Sequence, residues 1–250
     1  MFKKILIPFE LDDPRSTLFH REIILNNPFL KRLYKDWYEI FVAGTKHIPG
    51  GKNLEIGSGG GFYKEVFPNI ITSDILDLPH VDITFSAEQL PFNENELSSI
   101  VMLNVFHHIP RPYLFLQEAQ RTLIRGGKII MIEPANSLLG RFIYKRFHHE
   151  PFDELGLREI KSGNPMSNSN QALPYIYFKR DIKSFRDDFP SLKINSIQYH
   201  SPIKYILSGG VSRTALLPLF MYNPVKFVEW ILSPFSKQLG LFNTIEIEKI

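Results

Sequence analysis

The sequence predicts an α/β fold, a mostly parallel sheet carrying helices on its faces, and three observations support this. From Gly51 onward, short apolar runs alternate with windows at helical spacing, the pattern of strand–crossover–strand units. A glycine-rich turn lies directly between the first strand and the next helical window, where folds of this kind hold ligands. The chain has 250 residues, 44% hydrophobic and 22% charged, enough for one sizeable core and incompatible with wholesale disorder.

Ahead of the sheet, 1–49 reads as a helical cap. One helix covers 17–25. A second begins at Pro28, a residue suited to a helix start, and places Leu30, Leu33, Trp37 and Phe41 on one face. Strands are read at 53–56, 70–73, 81–85, 99–103 and 128–132, with helical windows at 60–67, 112–124 and 137–147. Six residues, 75–80, separate Asp74 from the third strand. That is too few for a crossover helix, so the helix is expected to be missing and the third strand short. The polar stretch 161–174, KSGNPMSNSNQALP, reads as a loop or mobile lid. Asp181 is expected to cap a short helix, and strands follow at 192–199 and 241–249. Between them lies an apolar insert, 202–236, broken by Gly209, Gly210, Pro218, Pro224 and Pro234. No internal repeat or low-complexity block is visible.

Several function classes drop out at this stage. No window approaches the roughly 18–20 uninterrupted apolar residues of a membrane span. The start, MFKKILIPFELDD, is too short in apolar residues for the stretch of about 7–15 that a signal peptide needs. The lack of cysteine removes disulfide scaffolds, thiolate zinc sites and cysteine nucleophiles. A net charge of +3 is well short of a nucleic-acid binder's. A soluble, cytoplasmic protein without a nucleic-acid partner is the expectation.

The most informative residues are LEIGSGGGF, 54–62. Gly57, Gly59 and Gly61 let the backbone turn tightly and approach a ligand. A helix starting near Gly60 would aim backbone N–H groups at an anionic group. Asp74 ends the next strand, where a carboxylate can accept both hydroxyls of a ribose. Dinucleotide binding wants G-x-G-x-x-G, but Phe62 occupies the last position, which disfavours a nicotinamide dehydrogenase.

The pattern Glu55-x-Gly57-x-Gly59-x-Gly61 resembles the first motif of class I S-adenosylmethionine-dependent methyltransferases. Further segments agree: SAEQLPF (86–92), NVFHHIP (104–110) and EAQRTLIRGGKIIMIEP (118–134). The likeness covers about 50–135 and is to the type 11 group, which includes ubiquinone-type methyltransferases. The strings HREIILNNPFLKRLY, HHEPFD and YILSGGVS resemble a subgroup found with bacterial surface-polysaccharide genes.

The resemblance implies a Rossmann-like sheet of seven strands, mostly parallel with the last antiparallel. It also implies one domain, 1–250, with a cofactor-binding core at 50–135 and the substrate side at 136–250. S-adenosyl-L-methionine is the implied cofactor, and S-adenosyl-L-homocysteine the product. Gly57, Ser58, Gly59 and Gly61 would line its methionine and ribose part, and Glu55 would lie near the methionine ammonium. Asp74 would hold the ribose, Ile75 would pack on the adenine and Ala87 would meet the adenine edge. Asn104 would offer its carbonyl to the methionine end. Ser86 stands where relatives commonly carry an aspartate, so the adenine amino contact is weaker or made differently.

Methyl transfer from a sulfonium is a displacement in which the protein aligns the acceptor, excludes water and removes a proton where needed. Candidate bases are His108 and His107 after the fourth strand and Glu133 at the end of the fifth. Local hydrogen bonding is the competing role for the histidines, and capping for Glu133. His148, His149 and Glu150 follow the next helix and could approach the substrate. Adjacent histidines on a helix diverge by about 100°, and no H-x-x-x-H spacing occurs, so no metal is expected. Tyr34, Trp37 and Tyr38 read as core or as a lid on the cofactor.

The insert reads as extra helical core, as a wall for a bulky or lipid-linked acceptor, or as a patch resting on the inner face of a membrane near Lys226 and Lys237. The expected activity is methyl transfer to oxygen of a small molecule, sugar or lipid-linked glycan by a monomer or homodimer. The alternatives are a quinone-type or natural-product methyltransferase, or a cofactor-binding protein without turnover.

Overall fold

The computed structural model describes residues 3–48 and 50–250; Met1, Phe2 and Pro49 of the expected cap lie outside the described residues. The strands are β1 (Lys52–Ile56), β2 (Ile70–Asp74), β3 (Ile83–Thr84), β4 (Leu97–Leu103), β5 (Leu123–Pro134), β6 (Leu192–His200) and β7 (Phe242–Lys249). They form one sheet in the order β3-β2-β1-β4-β5-β7-β6. The first five run parallel, and β7 is antiparallel to both β5 and β6. This is the expected seven-stranded, Rossmann-like sheet with its last strand reversed.

Side chains alternate across the central strands and feed two cores. On one face Leu54, Ile100, Met102, Ile129 and Met131 join a cluster with Phe106, Phe115 and Phe185. On the other, Val101, Ile130 and Ile132 pack with Leu30, Leu33, Trp37 and Phe41. Those last four are the predicted apolar face of α2 (Pro28–Thr45). Helix α1 (Pro14–Asn26) begins at a proline behind Asp13, whose carboxylate accepts from Arg15 N. Asn27 ends α1 and starts α2, accepting from Leu30 N at 3.1 Å. The fixed φ of proline at the first turn and a side-chain cap make both starts locally determined.

The segment between β2 and β3 carries no helix, and β3 is two residues long, as the short spacing predicts. The helix read at 60–67 is only one turn, α3 (Tyr63–Val66). Gly57 and Gly59 have positive φ (70° and 34°), and Phe62 still has non-helical backbone, so the chain becomes helical too late for a helix at Gly60. A single turn carries little macrodipole, and the amides of Ser58, Gly59, Gly61 and Phe62 donate to partners within the protein.

Helix α4 (Pro112–Thr122) stops two residues early because Leu123 already pairs with Leu97 in the sheet. The register then jumps to Ser99 opposite Lys128, past the positive-φ turn at Gly126. After α5 (Leu138–Phe147), the stretch 161–174 divides in two. Its first part is exposed or half-buried, while Ser169, Asn170, Gln171, Ala172, Leu173 and Pro174 are buried and enter α6 (Leu173–Tyr175). The backbone Asn170 N donates to His107 O at 3.0 Å, so this half is anchored and is not a lid. Asp181 does precede α7 (Ile182–Asp188), but its carboxylate pairs with Arg180 and not with the helix N-terminus.

The insert also divides. In α8 (Lys204–Ser208) the Lys204 ammonium is enclosed between Asp36 at 3.2 Å and Glu229 at 3.3 Å, tying the insert to α2. In α9 (Tyr222–Ile231), Tyr222 and Val225 face inward while Phe227, Trp230 and Ile231 are exposed. Helix α10 (Ser236–Leu239) then leads into β7. No helix of the described residues is long and apolar enough to cross a membrane.

Candidate active site

A cavity of about 470 Å³ opens past the carboxyl ends of β1, β2, β4 and β5, where the strand order reverses between β1 and β4. Its floor is the glycine loop. A side chain at Gly57 would collide with Val105 Cγ2, and one at Gly61 would meet the Tyr38 hydroxyl at 2.7 Å. Gly59 N donates to Asp74 Oδ2 and Leu76 N to Asp74 Oδ1, both at 2.9 Å. Each carboxylate oxygen thus holds one backbone amide and retains further acceptor capacity towards the cavity. Burial raises the Asp74 pKa above the ordinary aspartate value.

Glu55, at the base of the loop, accepts from Ser58 Oγ at 2.7 Å, and Ser73 N donates to Ser58 Oγ at 3.2 Å. Burial pushes the Glu55 carboxyl up to about 7. Ile75, Ser86 and Ala87 line the same wall, and Ile75 is 50% exposed. Ser86 Oγ accepts from Glu88 N at 3.3 Å. Asn104 adopts a left-handed backbone (φ 58°) while its N–H donates to Ile132 O at 2.9 Å. Two residues that line the cavity, Asn104 and Thr17, each carry a buried oxygen, Oδ1 and Oγ1, with no partner among the described residues. With Glu55 and Asp74 they form the acceptor-rich cradle that an amino group and a ribose require, so these residues fit S-adenosylmethionine.

The far end of the cavity is built from two stretches of chain. His107 is buried: its Nδ1–H donates to Glu133 Oε2 at 2.5 Å, and its Nε2 faces Glu150 Oε2 at 3.3 Å. Glu133 also accepts from Val105 N and Phe106 N at 2.8 Å each. It therefore anchors the loop after β4, and no described contact turns it to the acceptor. Burial would lower the His107 pKa, but the carboxylates of Glu133 and Glu150 outweigh it and lift it to about 10. His108 behaves oppositely: burial and the neighbouring His107 lower it to about 4. Its Nδ1 meets Asn168 O at 3.3 Å, and its Nε2 lies 3.6 Å from Glu150 Oε1.

Glu150 sits at the centre, with His148 Nδ1 at 3.9 Å and His149 Nε2 at 3.7 Å as well. Although burial opposes its charge, the surrounding histidines hold its carboxyl well below the usual range. Of the aromatic residues on α2, Trp37 is core, whereas Tyr34 and Tyr38 also line the cavity. Sequence reasoning missed Thr17, Tyr205, Met166 and His80. The His80 ring donates to Gly59 O at 2.6 Å and braces the glycine loop. Nothing local marks any of these four, because each reaches the site from a separate element.

Residues 54–131 match the family described as a methyltransferase domain. A stretch of 129 residues is 32% identical to an uncharacterized protein of Methanocaldococcus jannaschii, over 48% of this chain and 62% of that protein. The chain therefore spans less than two thirds of that relative. It is 23% identical to a ubiquinone/menaquinone biosynthesis C-methyltransferase of Allorhizobium ampelinum, over 78% of this chain and 87% of that one. Among solved structures, a possible histamine N-methyltransferase from Thermotoga maritima superposes with a TM-score of 0.51 at 16% identity, over 92% of this chain and 100% of that chain. Geranyl diphosphate C-methyltransferase from Streptomyces coelicolor, in complex with Mg²⁺, geranyl diphosphate and S-adenosyl-L-homocysteine, also gives 0.51 at 11% identity, over 96% and 87%. At these identities the structures establish the fold alone. The family match falls on the glycine loop and the strands that carry the cavity floor, so residues 54–131 carry a methyltransferase domain.

Proposed function

We propose that the protein transfers a methyl group from S-adenosylmethionine to oxygen of a hydroxylated acceptor, a small molecule, sugar or lipid-linked glycan, seated against His108 and Glu150. The observation that carries this reading is that one cavity joins the Glu55–Asp74 cradle to the His108–Glu150 cluster. Bound S-adenosylmethionine supplies an activated methyl on a sulfonium. Glu55 faces the methionine ammonium and Asp74 accepts from the ribose hydroxyls. Ile75 packs on the adenine beside Ser86 and Ala87, with Asn104 at the methionine end. Glu133 holds His107 and, through it, the loop that carries His108. His108 Nε2 and Glu150 are the groups offered to an acceptor proton, and residues 162–166 line the same cavity.

The exposed apolar face of α9 suits an acceptor delivered from a lipid surface. Phe220, Phe227, Trp230 and Phe235 are all more than half exposed, next to Lys226 and Lys237. A second reading, methyl transfer to carbon of a quinone-type ring, draws on the resemblance to the Allorhizobium enzyme.

The test is incubation with radiolabelled S-adenosylmethionine and matched sets of sugars, lipid-linked glycans and hydroxyquinones, followed by NMR of any product. An O-methyl product supports the first reading, a ring C-methyl product the second. Transfer to neither set, from a protein that binds the cofactor, would sink both. Flotation with vesicles containing anionic lipid tests the α9 face; Trp230→Glu should abolish it, and failure of the wild type to float refutes the contact.

A further inference from the structure

Glu150 and the two histidines after β4 come from separate stretches of chain, yet their free ligand atoms converge. One ligand atom from each of His107, His108 and Glu150 lies within 4.8 Å of the other two. His107 Nε2 lies 3.3 Å from Glu150 Oε2 and His108 Nε2 lies 3.6 Å from Glu150 Oε1, separations near the spacing of about 3.4 Å between donors on a tetrahedral ion with bonds near 2.0–2.1 Å.

The outer bonds of the two rings point the same way. A metal-bound imidazole characteristically donates its other N–H to a carboxylate or backbone carbonyl, which fixes the ring and its tautomer. His107 donates Nδ1–H to the buried Glu133 carboxylate, and His108 Nδ1 faces the carbonyl of Asn168. In both rings this leaves Nε2 as the atom directed at Glu150. Glu150 has no lysine or arginine within ion-pair distance among the described residues; only histidine rings surround its carboxylate. His149 Nε2 lies 3.7 Å from Glu150 Oε1, outside this set of three.

We infer that His107, His108 and Glu150 form a binding site for a divalent first-row transition ion, opening into the acceptor end of the cavity. Two imidazoles and one carboxylate suit Zn²⁺, Fe²⁺ or Mn²⁺, whereas Mg²⁺ and Ca²⁺ prefer all-oxygen sets. With three protein donors on one side, the ion keeps open positions towards the cavity. The site stands on its own geometry. Its use, holding and acidifying an acceptor hydroxyl as such ions acidify bound water, rests on the methyl-transfer reading. The sequence argues against a metal because neighbouring histidines diverge on a helix. Here His107 and His108 lie on a 3₁₀ turn, and Glu150 closes the set from the segment after α5.

The experiment is calorimetric titration of untagged, chelator-treated protein with ZnCl₂, MnCl₂ and MgCl₂, alongside His108→Ala, Glu150→Gln and the surface control His47→Ala. The expected result is one Zn²⁺ or Mn²⁺ per chain at micromolar affinity with no response to Mg²⁺. Affinity should fall about tenfold to a hundredfold or more in the two site variants and stay unchanged in the control. Absence of binding, or binding retained in both site variants, overturns the inference. Should either variant unfold, the visible spectrum of Co²⁺ added to the wild type decides: bands that differ from those of aqueous Co²⁺ support the site and an unchanged aqueous spectrum refutes it. Titration with S-adenosylhomocysteine in the same preparation tests the methyltransferase reading separately, since cofactor binding without metal binding removes only the inference made here.

Discussion

Glu133 Oε2 lies 2.5 Å from His107 Nδ1, and both side chains are closed off from solvent. The pair joins the end of β5 to the loop after β4, because the same carboxylate also accepts from Val105 N and Phe106 N. Removing one member of a buried, hydrogen-bonded pair strands the other. Glu133→Ala is therefore expected to lower stability by about 3–5 kcal/mol. Urea unfolding checks this, and a loss below about 1 kcal/mol would contradict the anchoring role.

Gly57 carries two separate demands. Its φ of 70° disfavours any L side chain, and a Cβ there would strike Val105 Cγ2. Gly57→Ala should lose about 1–3 kcal/mol from backbone strain alone. Adding Val105→Ala removes the clash but not the strain, so thermal melting should show partial recovery. Full recovery would mean that the steric contact, and not the backbone, sets the requirement.

Asp74 is expected to matter to the cofactor more than to the fold. Two charge-assisted hydrogen bonds to a ribose amount to about 1.5–3 kcal/mol each, so Asp74→Ala should weaken S-adenosylhomocysteine binding by at least tenfold. Calorimetry measures this directly, with NAD as the ligand expected to give no heat. Equal affinity in mutant and wild type would remove Asp74 from the site.

Glu55 couples the protein to pH. Burial raises its pKa from 4.5 to about 7, so between these values the folded chain holds a proton that the unfolded chain has released. Stability contributed by that proton is complete below pH 4.5 and is lost as pH rises through 7, a fall of about 3 kcal/mol. Glu55→Gln should flatten the dependence in this window. Cofactor binding near pH 6 should release a proton as Glu55 ionises against the ammonium. Calorimetry in two buffers of different ionisation enthalpy detects it, and identical heats would argue against that contact.

The sequence by itself determined the features that depend on neighbours along the chain. Alternating strands, proline-led helix starts at Pro14, Pro28 and Pro112, the glycine loop and Asp74 are all local in origin. The missing helix before β3 belongs with them, since spacing alone forbids it. The tertiary structure decided what depends on the meeting of distant segments. It showed that the loop's helix is a single turn and that Glu133 is occupied by backbone amides. It showed that half of the polar stretch before α6 is buried, and that α9 turns one apolar side outward while α8 is tied down by Asp36. Nothing in the string HHE at 148–150 or HH at 107–108 reveals that one carboxylate lies among four imidazoles. Periodicity describes which face a residue occupies, but convergence of two faces depends on the path of the chain between them.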